Sequence, residues 1–131
     1  MNVNIRRMPY RIEFYSPKLH AELLAWPAGI AASFAAIAQR MVEHGPNLGL
    51  PYTRAMGDGL FELRARGTEG IGRAFLCTLL GRRIIVLHGC IKKTQKTPLA
   101  DLRIARKRLK ELHRDQVETE SRGRLFRSGA V

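Results

Sequence analysis

The sequence predicts an α+β fold. It would have two N-terminal helices, an antiparallel (mixed) sheet of about four to five strands, and one C-terminal helix. Three observations carry this. Ile30, Phe34, Ile37 and Met41 recur at helical spacing in an Ala-rich run. Between residues 52 and 91 the period changes, and short apolar runs are punctuated by Gly-Asp-Gly, Thr-Glu-Gly and Gly-Arg turns. Thr97-Pro98 then opens a segment with Leu102, Ala105 and Leu109 on one side.

Residues 1–9 read as a frayed lead-in ending at Pro9, and 10–15 as a short strand. Ser16-Pro17 places an N-cap before a proline at the first helical position, so a first helix runs to about Trp26. Pro27 and Gly29 break it, and Ile30 to about Glu43 forms the second helix, stopped by His44-Gly45-Pro46. Strands follow at 52–56 and 60–66 around Gly57-Asp58-Gly59, a strong hairpin sequence. Two more, 71–80 and 83–91, complete a meander. The last helix runs from Leu99 to about His113. Residues 1–113 are read as the domain and 114–131 as a polar, flexible tail. This order suggests helices on one sheet face, with the other face or its rim free for a partner.

The chain has 131 residues and 45% hydrophobic content, which suits one domain with a real core. No run of about 18 uncharged apolar residues suggests a membrane span, and no apolar core follows Arg6, Arg7 and Arg11 to suggest a signal peptide. Cys77 and Cys90 lack CxxC spacing, so neither a disulfide scaffold nor zinc is expected. The expected location is cytoplasmic, with both thiols reduced.

The formal charge of +12 is unevenly placed. Residues 64–108 hold 12 Lys and Arg against two acids, Glu69 and Asp101, while the segments on either side are nearly balanced. These cations are interleaved with FLCTLL and RIIVLHGC, which points to a basic face on a folded sheet that favours phosphate.

A turn near 68–69 brings Arg64 and Arg73 opposite each other on paired strands. Two facing guanidiniums need an anion between them. Lys92 and Lys93 end the next strand, so the four cations converge on one phosphate. His88 serves either as a general base or as a strand histidine hydrogen-bonded near the core. Tyr52 offers a ring for base stacking. Phe61, Cys77 and Cys90 read as core, and Trp26 as the plug of the corner between the first two helices. Arg66, Lys96, Arg103, Arg106 and Lys107 complete an RNA-binding set, the last three on the basic face of the final helix. A two-metal nuclease needs clustered carboxylates, and residues 64–108 do not supply them.

The order GLFELR, GIGRAF and IIVLHGCIKKTQKTPLADLRIARKRL resembles the RelE/HigB superfamily of toxins from bacterial type II toxin–antitoxin systems. More narrowly, it looks like the phage-derived HigB-like branch. The resemblance spans roughly residues 8–113. Cys90 stands where the family commonly has Phe, and Gly72 where an aromatic is common; both remove stacking surface. The resemblance implies an mRNA endonuclease (mRNA interferase) acting on the ribosome without metal or cofactor, by attack of the RNA's own 2′-hydroxyl. Arg64 and Arg73 would neutralise developing charge, while Lys92 and Lys93 position the phosphate. It also implies a cognate antitoxin, commonly a HigA-like helix-turn-helix protein. The alternatives are a ParE-like toxin that inhibits gyrase and a non-catalytic nucleic-acid-binding module.

Overall fold

The computed structural model describes residues 8–93 and 96–129, with side chains as far as Thr119. Most of the expected lead-in, Thr94 and Gln95 of the lysine-rich segment, and the far end of the expected tail lie outside the described residues. The elements in order are β1 (Arg11–Phe14), α1 (Pro17–Leu24), α2 (Ala28–His44), β2 (Thr53–Gly57), β3 (Leu60–Gly67), β4 (Gly70–Leu79), β5 (Arg83–Lys92) and α3 (Leu99–Gly129). The strands form one sheet in the order β1-β5-β4-β3-β2. β1 runs parallel to β5, and the other pairs are antiparallel. The fold is α+β, as the sequence predicts.

Local chemistry accounts for the boundaries. Ser16 Oγ accepts the Leu19 N–H at 3.1 Å, and Pro17 fills the first helical position of α1. Gly45, at φ 83°, ends α2 in a conformation that a side chain would strain. The β2–β3 turn holds Gly57, Asp58 and Gly59 all at positive φ, as a tight hairpin requires.

The layering differs from the expected one-sided arrangement. Leu19, Leu23, Ile30, Ile37 and Met41 of α1 and α2 pack with Leu63, Ala65, Ala74, Leu76, Ile84 and Val86 on one sheet face. Ala105 and Leu109 of α3 pack with Leu60, Phe75, Cys77, Ile85 and Leu87 on the other. The reason is in the central strands. Ile84, Ile85, Val86 and Leu87 are consecutive and all buried, so β5 is apolar on both faces and needs a cover on each.

α3 also continues past His113, where it was expected to end, to Gly129. Arg114, Asp115, Gln116 and Glu118 are polar, but no glycine or proline interrupts them. A helix of 31 residues is about 46 Å long, whereas a ten-residue strand spans about 33 Å. The helix therefore outruns the sheet. Among the described residues no single helix is long and apolar enough to cross a membrane; α1 and α2 are apolar together but bent by 120°.

Trp26 fills the α1–α2 corner, edge-on to Phe34 at 5.8 Å. It rests on Gly72, where an added Cβ would lie 2.5 Å from Ile30 Cγ2 and 2.7 Å from Trp26 Cζ3. Gly72 therefore faces the helices rather than the Arg73 face. An aromatic at this position would collide with the core, so its absence removes no stacking surface from the Arg73 side. We expect Gly72→Ala to cost about 1–3 kcal/mol through overpacking. Urea denaturation would show a lowered midpoint at an unchanged slope.

Candidate active site

The α3-facing side of the sheet, at its open end, gathers the charged residues. Its phase depends on a β-bulge. Phe75 pairs with His88 but Leu76 pairs with Val86, so Leu87 is an extra residue in β5. Leu87 and His88 then both face α3, and alternation continues through Cys90 and Lys92. Strict alternation from Ile85 would have put Gly89 and Ile91 there instead. A bulge that re-aims a side chain is common beside functional sites.

Arg64 pairs with Arg73, as the turn position implied. The anion between them belongs to the protein. Glu62, two residues before Arg64 and on the same strand face, has no exposed side-chain surface. Its Oε1 accepts Arg64 Nε at 2.8 Å, while Oε2 accepts Thr97 Oγ1 at 2.8 Å and Arg73 Nη1 at 3.3 Å. Arg54 Nη2 lies 3.5 Å from Oε1 and donates to Thr97 Oγ1 at 3.1 Å. Burial pushes the Glu62 carboxyl up. The hydrogen bonds from Arg64 and Thr97, and the charges of Arg64 and Arg73, outweigh this and hold it below its ordinary range. The cluster ties β2, β3, β4 and the start of α3 to one carboxylate.

Arg73 itself is fully buried. It stands at the expected register position, but its burial keeps it from any group outside the protein in this conformation, and it contacts Glu62 instead. Arg64 keeps 14% of its side chain exposed and is the member of the pair that a ligand can touch.

On β5, His88 Nε2 lies 2.7 Å from Asp101 Oδ1 of α3. With Nε2 carrying the proton toward that carboxylate, Nδ1 is the basic nitrogen. Cys90, opposite Arg73, is not a nucleophile: burial, then the Asp101 carboxylate, push its thiol up to about 12. Lys92 ends the same face, and Lys93 follows it; both are exposed, as is Lys96.

Across the sheet, Arg64, Arg73 and Cys90 form one row of register partners. His88 and Lys92 lie two residues to either side of Cys90, about 13 Å apart along the strand. The carboxylates beside this row are engaged, Glu62 by arginines and Asp101 by His88. Among the described residues no three His, Cys, Asp or Glu side chains gather as metal ligands.

The α3 set divides. Arg103 and Lys107 are exposed. Arg106 instead donates Nη2 to the Met56 carbonyl at 2.9 Å, and its Nη1 lies 3.7 Å from Asp58, so it pins the β2–β3 turn. Arg108 turns inward to the Leu87 carbonyl at 2.7 Å and covers the Tyr15 ring. Tyr52 and Arg66 lie at the β3 edge and line a groove with residues of α2. Sequence reasoning missed Glu62, Thr97 and Arg54, and counted Asp101 only as a charge. The available clue was a glutamate inside the apolar strand GLFELR, two residues before an arginine.

A family model described as phage derived protein Gp49-like (DUF891) matches residues 21–110. The chain belongs to the Gp49-like family. This is a toxin-like family of the RelE/HigB type, and the Gp49-like match runs from within α1 into α3, so it contains the whole charged cluster. No curated protein matches the chain.

Glu62 sets an acid limit on stability. A carboxyl held low in the folded state stabilises fully above its unfolded value and is lost as pH falls through the folded one. Unfolding free energy should thus be flat above the ordinary glutamate value of 4.5 and decline below it. Glu13, held low chiefly by its hydrogen bond from Arg83, acts in the same direction. Glu62→Gln should lower the plateau and remove the Glu62 share of the acid decline. Urea unfolding from about pH 7 to pH 3 measures both; an unchanged profile would sink the assignment.

Proposed function

We propose that this Gp49-like protein is the toxin of a type II toxin–antitoxin pair, of the HigB-like branch. In this reading it is a ribosome-dependent mRNA endonuclease acting in the cytoplasm. Its partner is a cognate, HigA-like helix-turn-helix antitoxin.

The observation that carries the proposal is the row Arg64–Arg73–Cys90 flanked on one sheet face by His88 and Lys92. A scissile phosphate held at the exposed Arg64 end of that row has the His88 base toward one side and the Lys92 ammonium toward the other. In-line displacement needs this, because the attacking and leaving oxygens lie on opposite sides of phosphorus. The 2′-oxygen gives its proton to His88 Nδ1 and bonds to phosphorus. The P–O5′ bond breaks, and the 5′-oxygen takes a proton from Lys92. The products are a 2′,3′-cyclic phosphate and a 5′-hydroxyl, so atoms and charge balance without a co-reactant. Arg64 and Lys93 stabilise the charge developing on phosphorus oxygens. Asp101 holds the imidazole in the tautomer that accepts at Nδ1. Lys96, Arg103 and Lys107 add backbone attraction.

The test is induced expression with transcript 5′-end mapping and purified translating ribosomes. Wild type should create new 5′-hydroxyl ends inside reading frames, and His88→Ala should lower cleavage by about 10²–10⁴-fold. Lys92→Ala should lower it while preserving the melting temperature. Arg73→Ala is a poor probe, because removing one partner of a buried pair costs about 3–5 kcal/mol in stability. Intact transcripts with broken DNA would overturn the proposal in favour of gyrase inhibition.

A further inference from the structure

Beside the charged row, and outside it, α2 and β3 leave a groove that the reaction does not use. The β2–β3 ladder begins at Thr53, opposite Leu63, and its last backbone bond joins the Arg64 N–H to the Tyr52 carbonyl at 2.9 Å. Beyond that point β3 is an open edge. The groove against α2 has a volume of about 290 Å³, at the small end of ligand clefts. Arg40 and Tyr52 form one wall, with the Arg40 guanidinium stacked 4.8 Å above the Tyr52 ring. Arg64 and Arg66 line the β3 side. On α2, Ser33 and Ala36 are small, which keeps the space open.

We infer that this groove is a subsite for the single-stranded RNA nucleotide adjoining the scissile phosphate, with its base stacked on the Arg40–Tyr52 wall and its phosphate held by Arg64 and Arg66. The inference deepens the RNA-cleavage reading and rests on it. Three guanidiniums line the groove and no carboxylate does, so the occupant is anionic. A guanidinium already stacked on a phenol presents a planar surface of the kind on which unpaired bases stack. The position also fits, because Arg64 belongs to both places. Its Nε is fixed on Glu62 and the residue also lines the groove at the open β3 edge, so a strand leaving the row of cations can pass over that edge into the groove.

Ala36 is exposed and uncharged, so Ala36→Trp fills the groove without removing a charge. The probe is a short single-stranded RNA with a 2′-deoxy residue at the mapped cleavage position, followed by fluorescence anisotropy at low salt. The 2′-deoxy residue prevents cleavage. Ala36→Trp and Arg40→Ala should each weaken binding by about five- to hundredfold, the range for loss of one stacked base. Removing the single nucleotide that occupies the groove should weaken wild-type binding equally and leave Ala36→Trp unaffected, which a general folding defect would not reproduce. If wild type binds and cleaves but both variants bind as well as it does, the subsite is wrong and the cleavage reading stands. If the oligonucleotide binds in an Ala36→Trp-sensitive way but ribosome-bound RNA is never cut, the subsite stands and the cleavage reading falls. If the wild-type protein cuts ribosome-bound RNA but does not bind the free oligonucleotide, the subsite falls and the cleavage reading stands; if it neither binds nor cuts, both fall.

Discussion

The Glu62 carboxylate is the constraint on which the rest of the structure depends. It is fully buried, and it is contacted from β3 by Arg64, from β4 by Arg73 and from the start of α3 by Thr97, with Arg54 of β2 at 3.5 Å. Buried charges are tolerated when paired and hydrogen-bonded. Here the pairing determines geometry. Facing arginines on adjacent strands repel, and without Glu62 that repulsion would be relieved by splaying the two guanidiniums apart. With it, Arg64 is held at a defined position on the sheet face, and the segment leading into α3 is tied down by Thr97. The same tie places Asp101, in the first turn of α3, against His88.

A second, independent device is the bulge at Leu87–His88. It lets β5 bury Ile85 and Leu87 beneath α3 and still present His88, Cys90 and Lys92 on that side. The apolar core and the charged row thus share one strand and one face without a break in the ladder beyond a single residue. α3 completes both, with Ala105 and Leu109 over the core half and Asp101 over the charged half.

Much of this was legible in the sequence. Period, caps and glycine turns gave all eight elements, and the turn at 68–69 gave the pairing of Arg64 with Arg73. What was not legible depended on which face each residue takes. A bulge has no local sequence signature here, so the phase of His88 relative to Leu87 was invisible. The two-sided cover was written in the consecutive apolar residues 84–87, yet such runs fit a strand buried on one face or on both. Glu62 precedes the basic stretch 64–108 by two residues and sits inside an apolar strand, so the charge pattern does not single it out. Gly72 stands beside Arg73 in sequence, yet adjacent strand residues point to opposite faces, and the close approach of Trp26 and Ile30 explains the glycine. Polarity after His113 does not mark the end of α3, because helix formation tolerates polar residues.

A carboxylate at the centre of the proposed phosphate-binding surface looks self-defeating, since it cancels charge that such a ligand needs. The arithmetic resolves this. Glu62 neutralises one of the three guanidiniums around it and leaves the cluster with a surplus of two positive charges. Arg73 is buried, so its charge is poorly screened by salt, whereas the exposed Lys92 and Lys93 are screened within about a Debye length of 8–10 Å. The carboxylate therefore stabilises a buried cation that would otherwise be expelled to solvent, and that cation adds to the field felt above the sheet. An arriving phosphate in the proposed reaction need not displace Glu62. It meets the exposed side of Arg64, whose Nε is already committed and whose orientation is therefore fixed in advance, so little side-chain entropy remains to be lost on binding. In this arrangement the free protein already contains one of the two anions that its arginines require, and only the second position is left for the phosphate of the proposed reaction.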